Sequence, residues 1–179
     1  IANYSKMNPA KLRLLLNRDH MRIRQKAQFE LAKRAAVGVE VFSKAALDKS
    51  ASTFSRIHSI WGLSQMARKN KNLLKPLFSL INDKDDQVRI QTIRVLGDHR
   101  IKEAIHLYKK ALTDKHSRVA MYAGIAIGRI ADKSAVPHIF DVLVKNADKD
   151  LWLRHGMVMA LAGIDKSAWL KGVNNSNRS

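Results

Sequence analysis

Residues 83–98 read DKDDQVRIQTIRVLGD. An acidic turn phrase gives way to an apolar helix that opens Val-Arg, and a similar phrase returns about every 32 residues. With Arg89 as anchor, the matching segments are MRIRQKAQFELA (21–32), FSRIHSIWGLSQ (54–65), QVRIQTIRVLGD (87–98), RVAMYAGIAIGR (118–129) and WLRHGMVMALAG (152–163). The anchors Arg24, Arg56, Arg89, Ala120 and Arg154 stand 32, 33, 31 and 34 residues apart. Seven residues beyond each anchor come Leu31, Leu63, Leu96, Ile127 and Leu161, each followed by a small residue: Ala32, Ser64, Gly97, Gly128 and Ala162. Five copies in register at this period predict a helical repeat array, in which each unit buries its apolar face against its neighbours.

Between these segments lie shorter apolar stretches with helical spacing: KLRLLLN (11–17), VEVFSKAAL (39–47), NLLKPLFSLI (72–81), EAIHLYKKAL (103–112) and AVPHIFDVLV (135–144). Each leads through a turn into an anchor helix, and Asp83-Lys84, Asp114-Lys115 and Asp148-Lys149 hold the same place in three turns. The unit is therefore helix A, tight turn, helix B. Asp, Ser and Thr near helix starts supply oxygens for the orphan N–H groups. Ser134 and Ser167, in ADKSAVP and IDKSAWL, are expected to cap the next A helices. The predicted fold is an all-α, right-handed α-solenoid of about five helix pairs in one domain over 1–170. Its units are expected at about 9–36, 37–69, 70–99, 100–131 and 132–164, with the start of a sixth at 165–170 and a polar tail at 171–179.

Over about residues 9–170 the pattern resembles the HEAT repeat family, in its short bacterial HEAT-like form. That resemblance implies a ladder between repeats, built from a turn aspartate and a B-helix arginine six residues on. Asp83/Arg89 and Asp148/Arg154 have this spacing, whereas Asp114 faces Ala120, Arg24 has Asp19 at five residues, and Arg56 has Ser50. The anchor arginines are expected to be structural, their stems along the apolar stripe and their guanidinium groups on carboxylates and turn carbonyls. The phrases MRIRQKAQFELA, SRIHSIWGLSQMAR, VRIQTIRVLGD and LRHGMVMALAGI are further similar to the HEAT segment of large exported bacterial proteins. In those proteins the segment lies between a sugar-dehydrogenase-like propeller and a C-terminal c-type haem domain. The resemblance implies a dehydrogenase-associated middle module, a fragment of a larger protein, with any redox chemistry in its neighbours. It implies a periplasmic or exported location; without it a cytoplasmic one is expected. A chain that begins at Ile1 and ends NNSNRS fits the expectation of an excised piece.

Composition narrows the function classes. The chain has 179 residues, 46% hydrophobic and 27% charged, with only eight Gly and three Pro, few for an all-β protein. It contains no cysteine, which excludes disulfides, thiolate metal sites, a Cys nucleophile and C-x-x-C-H haem attachment. No apolar run approaches the roughly 18 residues of a membrane span. Thirty-three Lys+Arg against fifteen Asp+Glu give a net charge of +18, which attracts polyanions. Weak, non-specific nucleic-acid binding is expected from that charge alone.

Catalytic signatures are absent. The seven histidines, His20, His58, His99, His106, His116, His138 and His155, are scattered over different units without metal-ligand spacing, and no cofactor is expected. There is no Gly-rich phosphate loop and no G-x-S-x-G elbow; Gly97 and Gly128 fill the small slot of B helices, where close packing accounts for them. Five residues past the anchors stand Phe29, Trp61, Arg94, Ile125 and Met159, and four further on Lys33, Gln65, Asp98, Arg129 and Gly163. These rows either pack B helix against B helix or form a partner surface of aromatic and basic side chains, with Phe29, Lys33, Trp61, Arg94, Ile125, Arg129 and Met159 as its candidates. Trp152 and Trp169 are further candidates for contact with other domains. The expected function is a non-catalytic protein-interaction or spacer module whose partners are protein domains, including domains of the same longer chain. The alternative is nucleic-acid binding by a basic concave face lined by the B helices, in the manner of HEAT-like DNA glycosylases; a continuous concave stripe of Lys/Arg would mark it.

Overall fold

The structure is a computed structural model describing residues 3–165, and all of the following concerns those residues. Ser167, Trp169 and the rest of the expected sixth unit and tail lie outside them. Among the described residues there is no strand. The helices are α1 (Pro9–Leu15), α2 (Met21–Ala32), α3 (Ala35–Leu47), α4 (Thr53–Ala67), α5 (Asp86–Asp98), α6 (Ile105–Ala111), α7 (Ser117–Ile130), α8 (Val136–Asn146) and α9 (Leu151–Ile164), with a 3-10 helix over Lys71–Asn82 between α4 and α5. Pairing A with B gives α1/α2, α3/α4, 71–82/α5, α6/α7 and α8/α9, which are the five pairs expected from the repeat.

The start of each helix follows from local chemistry. Asn8 accepts from the Lys11 N–H at 2.8 Å, and Pro9 fills the first position of α1, where no N–H is needed. Ser52 Oγ accepts from Ser55 N–H at 3.2 Å to open α4, and Asp85 Oδ1 accepts from Gln87 N–H at 2.9 Å at the start of α5. Asp150 Oδ1 takes the Trp152 and Leu153 N–H groups at 2.9 and 3.0 Å to open α9. Ser134 does not cap α8 as the sequence suggested. Asp132 accepts from Ser134 N–H at 3.1 Å and from its hydroxyl at 2.7 Å, and so initiates a short 3-10 turn (Lys133–Ala135) before α8. The Ser134 hydroxyl is engaged by that carboxylate and by Lys109 Nζ, which donates to it at 2.6 Å, rather than by the first N–H groups of α8. The A helix of the third pair is also a departure. Its buried Leu74, Leu77 and Leu80 recur every three residues, the 3-10 period, and Pro76 brings no N–H to an α-helical ladder.

The chain divides into two compact units, residues 1–95 and 96–179, the division falling within α5. In the first unit α3 packs on α4, α1 on α2, and α2 on α4, so an A layer lies against a B layer. Its fully buried core includes Leu12, Leu31, Phe42, Ile60, Leu63 and Leu74. In the second unit α7 packs on α9, with α6 and α8 behind them, around Tyr108, Ile127, Ile139 and Met157. The apolar residue seven past each anchor is buried in all five pairs. The small residue that follows it allows close approach at Gly97 and Gly128. A Cβ on Gly128 would stand 2.7 Å from Ala160 Cα on α9, and one on Gly97 would stand 2.7 Å from Ala126 Cβ on α7.

Candidate protein-interaction face

The anchor arginines turn out to have two jobs. Arg24 and Arg89 grip the turn just before their own helix: Arg24 donates to the carbonyls of Arg18 and Asp19 at 2.6 and 2.7 Å, and Arg89 to those of Asp83 and Lys84 at 2.9 and 3.2 Å. The side-chain pair expected between Asp83 and Arg89 is replaced. The Asp83 carboxylate is taken by Arg56, one repeat earlier, through two hydrogen bonds of 3.0 and 2.6 Å, while Arg56 Nε donates to Ala46 O at 3.0 Å. Both side chains of this pair are only 5% exposed. Burial alone would raise the Asp83 carboxyl, but hydrogen bonds from Arg56 and the Asp85 N–H, with the Arg56 and Lys49 charges, hold it below its usual value. This rung therefore runs from anchor to next turn, at a spacing of 27 residues rather than six. Where the anchor is Ala120, no arginine reaches the next turn aspartate; Asp148 stays exposed and meets its own Arg154 at 3.2 Å. A second rung joins helix-start hydroxyls to the next capping aspartate. Thr53 donates to Asp85 in the first unit, and in the second a hydrogen bond with Ser117 helps hold the Asp150 carboxyl low.

With the arginines absorbed by the fold, the B helices leave one face for other use. Positions −2, +2 and +5 from the anchor are four and three residues apart and share a face. In the first unit they hold Arg22, Lys26 and Phe29 on α2, Phe54, His58 and Trp61 on α4, and Gln87, Gln91 and Arg94 on α5. In the second they hold Arg118, Tyr122 and Ile125 on α7, and Trp152, Gly156 and Met159 on α9. Five of the protein's eleven aromatic rings and four cations fall on these fifteen positions, and no carboxylate does. Phe29, Phe54, Trp61, Trp152 and Met159 are exposed, Trp152 at 74%, whereas Ile125 is half-buried. The +5 row thus remains largely open rather than being consumed by helix packing. At +9, Arg129 and Asp98 pair with each other and Lys33 is exposed.

The open rings are held from behind. Arg24, fixed on its carbonyls, stacks its guanidinium 4.3 Å from the centroid of Phe54. Trp61 donates from Nε1 to Gln91 Oε1 at 3.0 Å and lies edge-on to His58, ring centroids 5.1 Å apart. His58 is itself buried, its Nδ1 bonded to Gln28 Oε1 at 2.8 Å; desolvation, with the Arg24 charge nearby, lowers its pKa to about 4. In the second unit Met121, Tyr122, Arg118 and Trp152 border an open groove of about 540 Å³ at the starts of α7 and α9. Apart from Trp152, the −2 and +2 rows were not part of the sequence-derived surface. Their signal was present as helical spacing back from Phe29 and Trp61, but only burial distinguishes Phe54 from core residues.

The cations do not form one stripe. Lys11, Arg13, Lys44, Lys75, Lys110 and Lys145 lie on the A helices or on the 71–82 segment, and Lys49, Lys84, Lys115 and Lys149 lie in turns. Among the described residues no helix is long and apolar enough to cross a membrane, and no cluster of three or more His, Asp or Glu is placed to hold a metal ion.

No known family model matches the chain, and no curated protein matches it. Solved structures do. The CpcE–CpcF complex of phycocyanin lyase from Nostoc sp. PCC7120 is similar with a TM-score of 0.66 at 16% identity, over 96% of this chain and 72% of that one. A designed armadillo repeat protein gives 0.60 at 17%, over 94% and 88%. Human deoxyhypusine hydroxylase gives 0.58 at 17%, over 88% and 63%. These likenesses show the fold, an α-solenoid of the HEAT and armadillo kind.

Proposed function

We propose that this protein is a non-catalytic protein-interaction module, which engages its partners through the −2, +2 and +5 rows of its B helices. One observation carries the reading: large rings, Phe54 and Trp61 among them, stand at the surface of a packed helical face, Phe54 against the Arg24 guanidinium and Trp61 hydrogen-bonded to Gln91. Held aromatic anchors bind with little loss of side-chain freedom, which is where protein interfaces concentrate their affinity. Another designed armadillo repeat protein of similar fold, with a TM-score of 0.53, was solved in complex with a (KR)4 peptide. That supports the idea that a helical-repeat protein of this fold receives polypeptide. The partners include neighbouring domains of a longer chain, in keeping with the resemblance to exported propeller–haem proteins; redox chemistry in such a chain would reside in those neighbours. Nucleic-acid binding is the weaker reading, because the cations are spread over A helices, turns and B helices alike.

A photo-crosslinking residue at position 54, in the protein expressed in its source cells, tests this. A discrete adduct to a protein or protein domain is expected there and not at position 144, where Val144 is exposed on an A helix. Equal adducts at both positions, or adducts to nucleic acid alone, would sink the proposal.

A further inference from the structure

The partner's chemistry can be read from the first unit. We infer that the B-helix face of residues 1–95 binds an acidic, extended peptide segment carrying aromatic or branched apolar side chains. This deepens the interaction reading above and rests on it.

Three features of the face converge on such a ligand. Apolar anchors come first. Phe54 and Trp61 are seven residues apart on α4, about 10 Å along the axis, and Phe29 is in register with Trp61 on α2, which packs against α4. Packed helix axes lie about 8–10 Å apart. The rings are therefore separated by about three residues of extended chain, at about 3.3 Å each. Charge comes second. Arg22, Lys26 and Lys33 are exposed along α2 beside these rings, and no carboxylate occupies the −2, +2 or +5 rows. Of the three, Lys33 has a carboxylate within reach, Glu30 at 3.9 Å, which is itself held by Arg34 at 3.1 Å. A partner must therefore bring its own anions. The third is amide chemistry: exposed Gln25 and Gln65, with half-buried Gln91, put paired donors and acceptors among the rings, matching main-chain N–H and C=O groups of a peptide.

The same geometry favours peptide over nucleic acid. A phosphate backbone is tracked by a groove lined continuously with cations. Here the exposed cations Arg22, Lys26 and Lys33 on and just after α2 are separated from Arg94 on α5 by α4, whose −2, +2, +5 and +9 positions hold Phe54, His58, Trp61 and Gln65 and no Lys or Arg. Trp61 also has its N–H committed to Gln91 and its ring set against His58, a seat for a side chain rather than an open stacking platform.

The experiment measures binding of fluorescent probes at about 150 mM salt, where surface charges more than about 8 Å apart are largely screened. The main probe is a twelve-residue peptide with phenylalanine at every third position among glutamates. Its controls are an all-glutamate peptide, a glutamine–phenylalanine peptide of the same pattern, and a twelve-nucleotide oligo-dT. The acidic–aromatic peptide is expected to bind more tightly than all three. Trp61→Ala is expected to weaken it about fivefold or more, the level at which a truncated anchor counts as energetically significant. The double reversal Arg22→Glu/Lys26→Glu, at exposed positions that leave the core intact, should weaken it at least as much, and Val144→Ala should not. Thermal melts confirm that each variant is folded. Equal binding of the neutral peptide, tighter binding of oligo-dT, or indifference to both face variants would overturn the inference. If crosslinking at position 54 still captures a protein while the acidic peptide fails, the interaction module stands and its acidic ligand falls.

Discussion

Arg56 and Arg154 occupy the same position of the repeat, yet their substitutions should cost very different amounts. Arg56→Ala leaves the buried Asp83 carboxylate without its bidentate partner and should destabilise the fold by roughly 3–5 kcal/mol. Arg154→Ala breaks a pair whose side chains are 46% and 71% exposed, for which about 0–1 kcal/mol is expected. Chemical denaturation of the two variants checks the contrast; equal losses would remove the anchor-to-next-turn rung from the account. Two residues should also make stability depend on pH, in distinct windows. His58 is held neutral in the fold, with its pKa at about 4, whereas the unfolded chain takes up a proton near the ordinary value of about 6.5. Its contribution is thus whole above about pH 6.5 and is lost as pH falls towards 4, by up to about 1.4 kcal/mol per pH unit. His58→Asn should flatten that part of the stability profile. Asp83, its carboxyl depressed, contributes above the usual carboxylate range and loses its contribution only below it, so Asp83→Asn should alter the acid limb alone.

At the scale of elements, the repeat is shaped by what each helix end and each close approach permits. α7 is capped at its C-terminus by Ala131 and α8 by Ala147, both left-handed, with φ of 61° and 44°. Glycine is the usual residue there, since a Cβ makes that conformation costly. Ala131→Gly should therefore stabilise the protein by about 0.5–1 kcal/mol, the relief of strain exceeding glycine's extra unfolded-state freedom. Gly128→Ala should act oppositely, by about 1–3 kcal/mol, because its Cβ meets the α9 backbone, which cannot rotate away as a side chain could. Melting temperatures that rise for the first variant and fall for the second would support this assignment of α7. The third A helix shows how far the local pattern can be read. Leu74, Leu77 and Leu80 signal a period of three as plainly as Leu31 and Leu63 signal the B-helix register, but residues 72–81 read as an ordinary A helix until the 3-10 hydrogen bonding is seen.

For the whole molecule, the +18 charge should give weak, sequence-indifferent affinity for DNA or RNA that falls steeply between low and physiological salt, as counterion release requires. A salt series on duplex and single-stranded oligonucleotides checks this; tight binding that survives at about 150 mM would favour nucleic acid as the ligand. The repeat period, the five helix pairs, the buried residue seven past each anchor and the close-packing glycines were all legible in the sequence. Each depends on spacing along one chain, which a solenoid preserves because every unit meets only its neighbours. The pairing of Asp83 with Arg56, and the division of aromatics between a core formed from A helices and a surface formed from B helices, were decided by tertiary structure alone. An arginine stem reaches a turn ahead or a turn behind with equal ease, so sequence spacing does not choose the partner. Phe42 and Phe54 are the same residue type on amphipathic helices, yet one is fully buried and the other 55% exposed. What separates them is which neighbouring helix covers each ring, a fact that exists only once the repeats have packed.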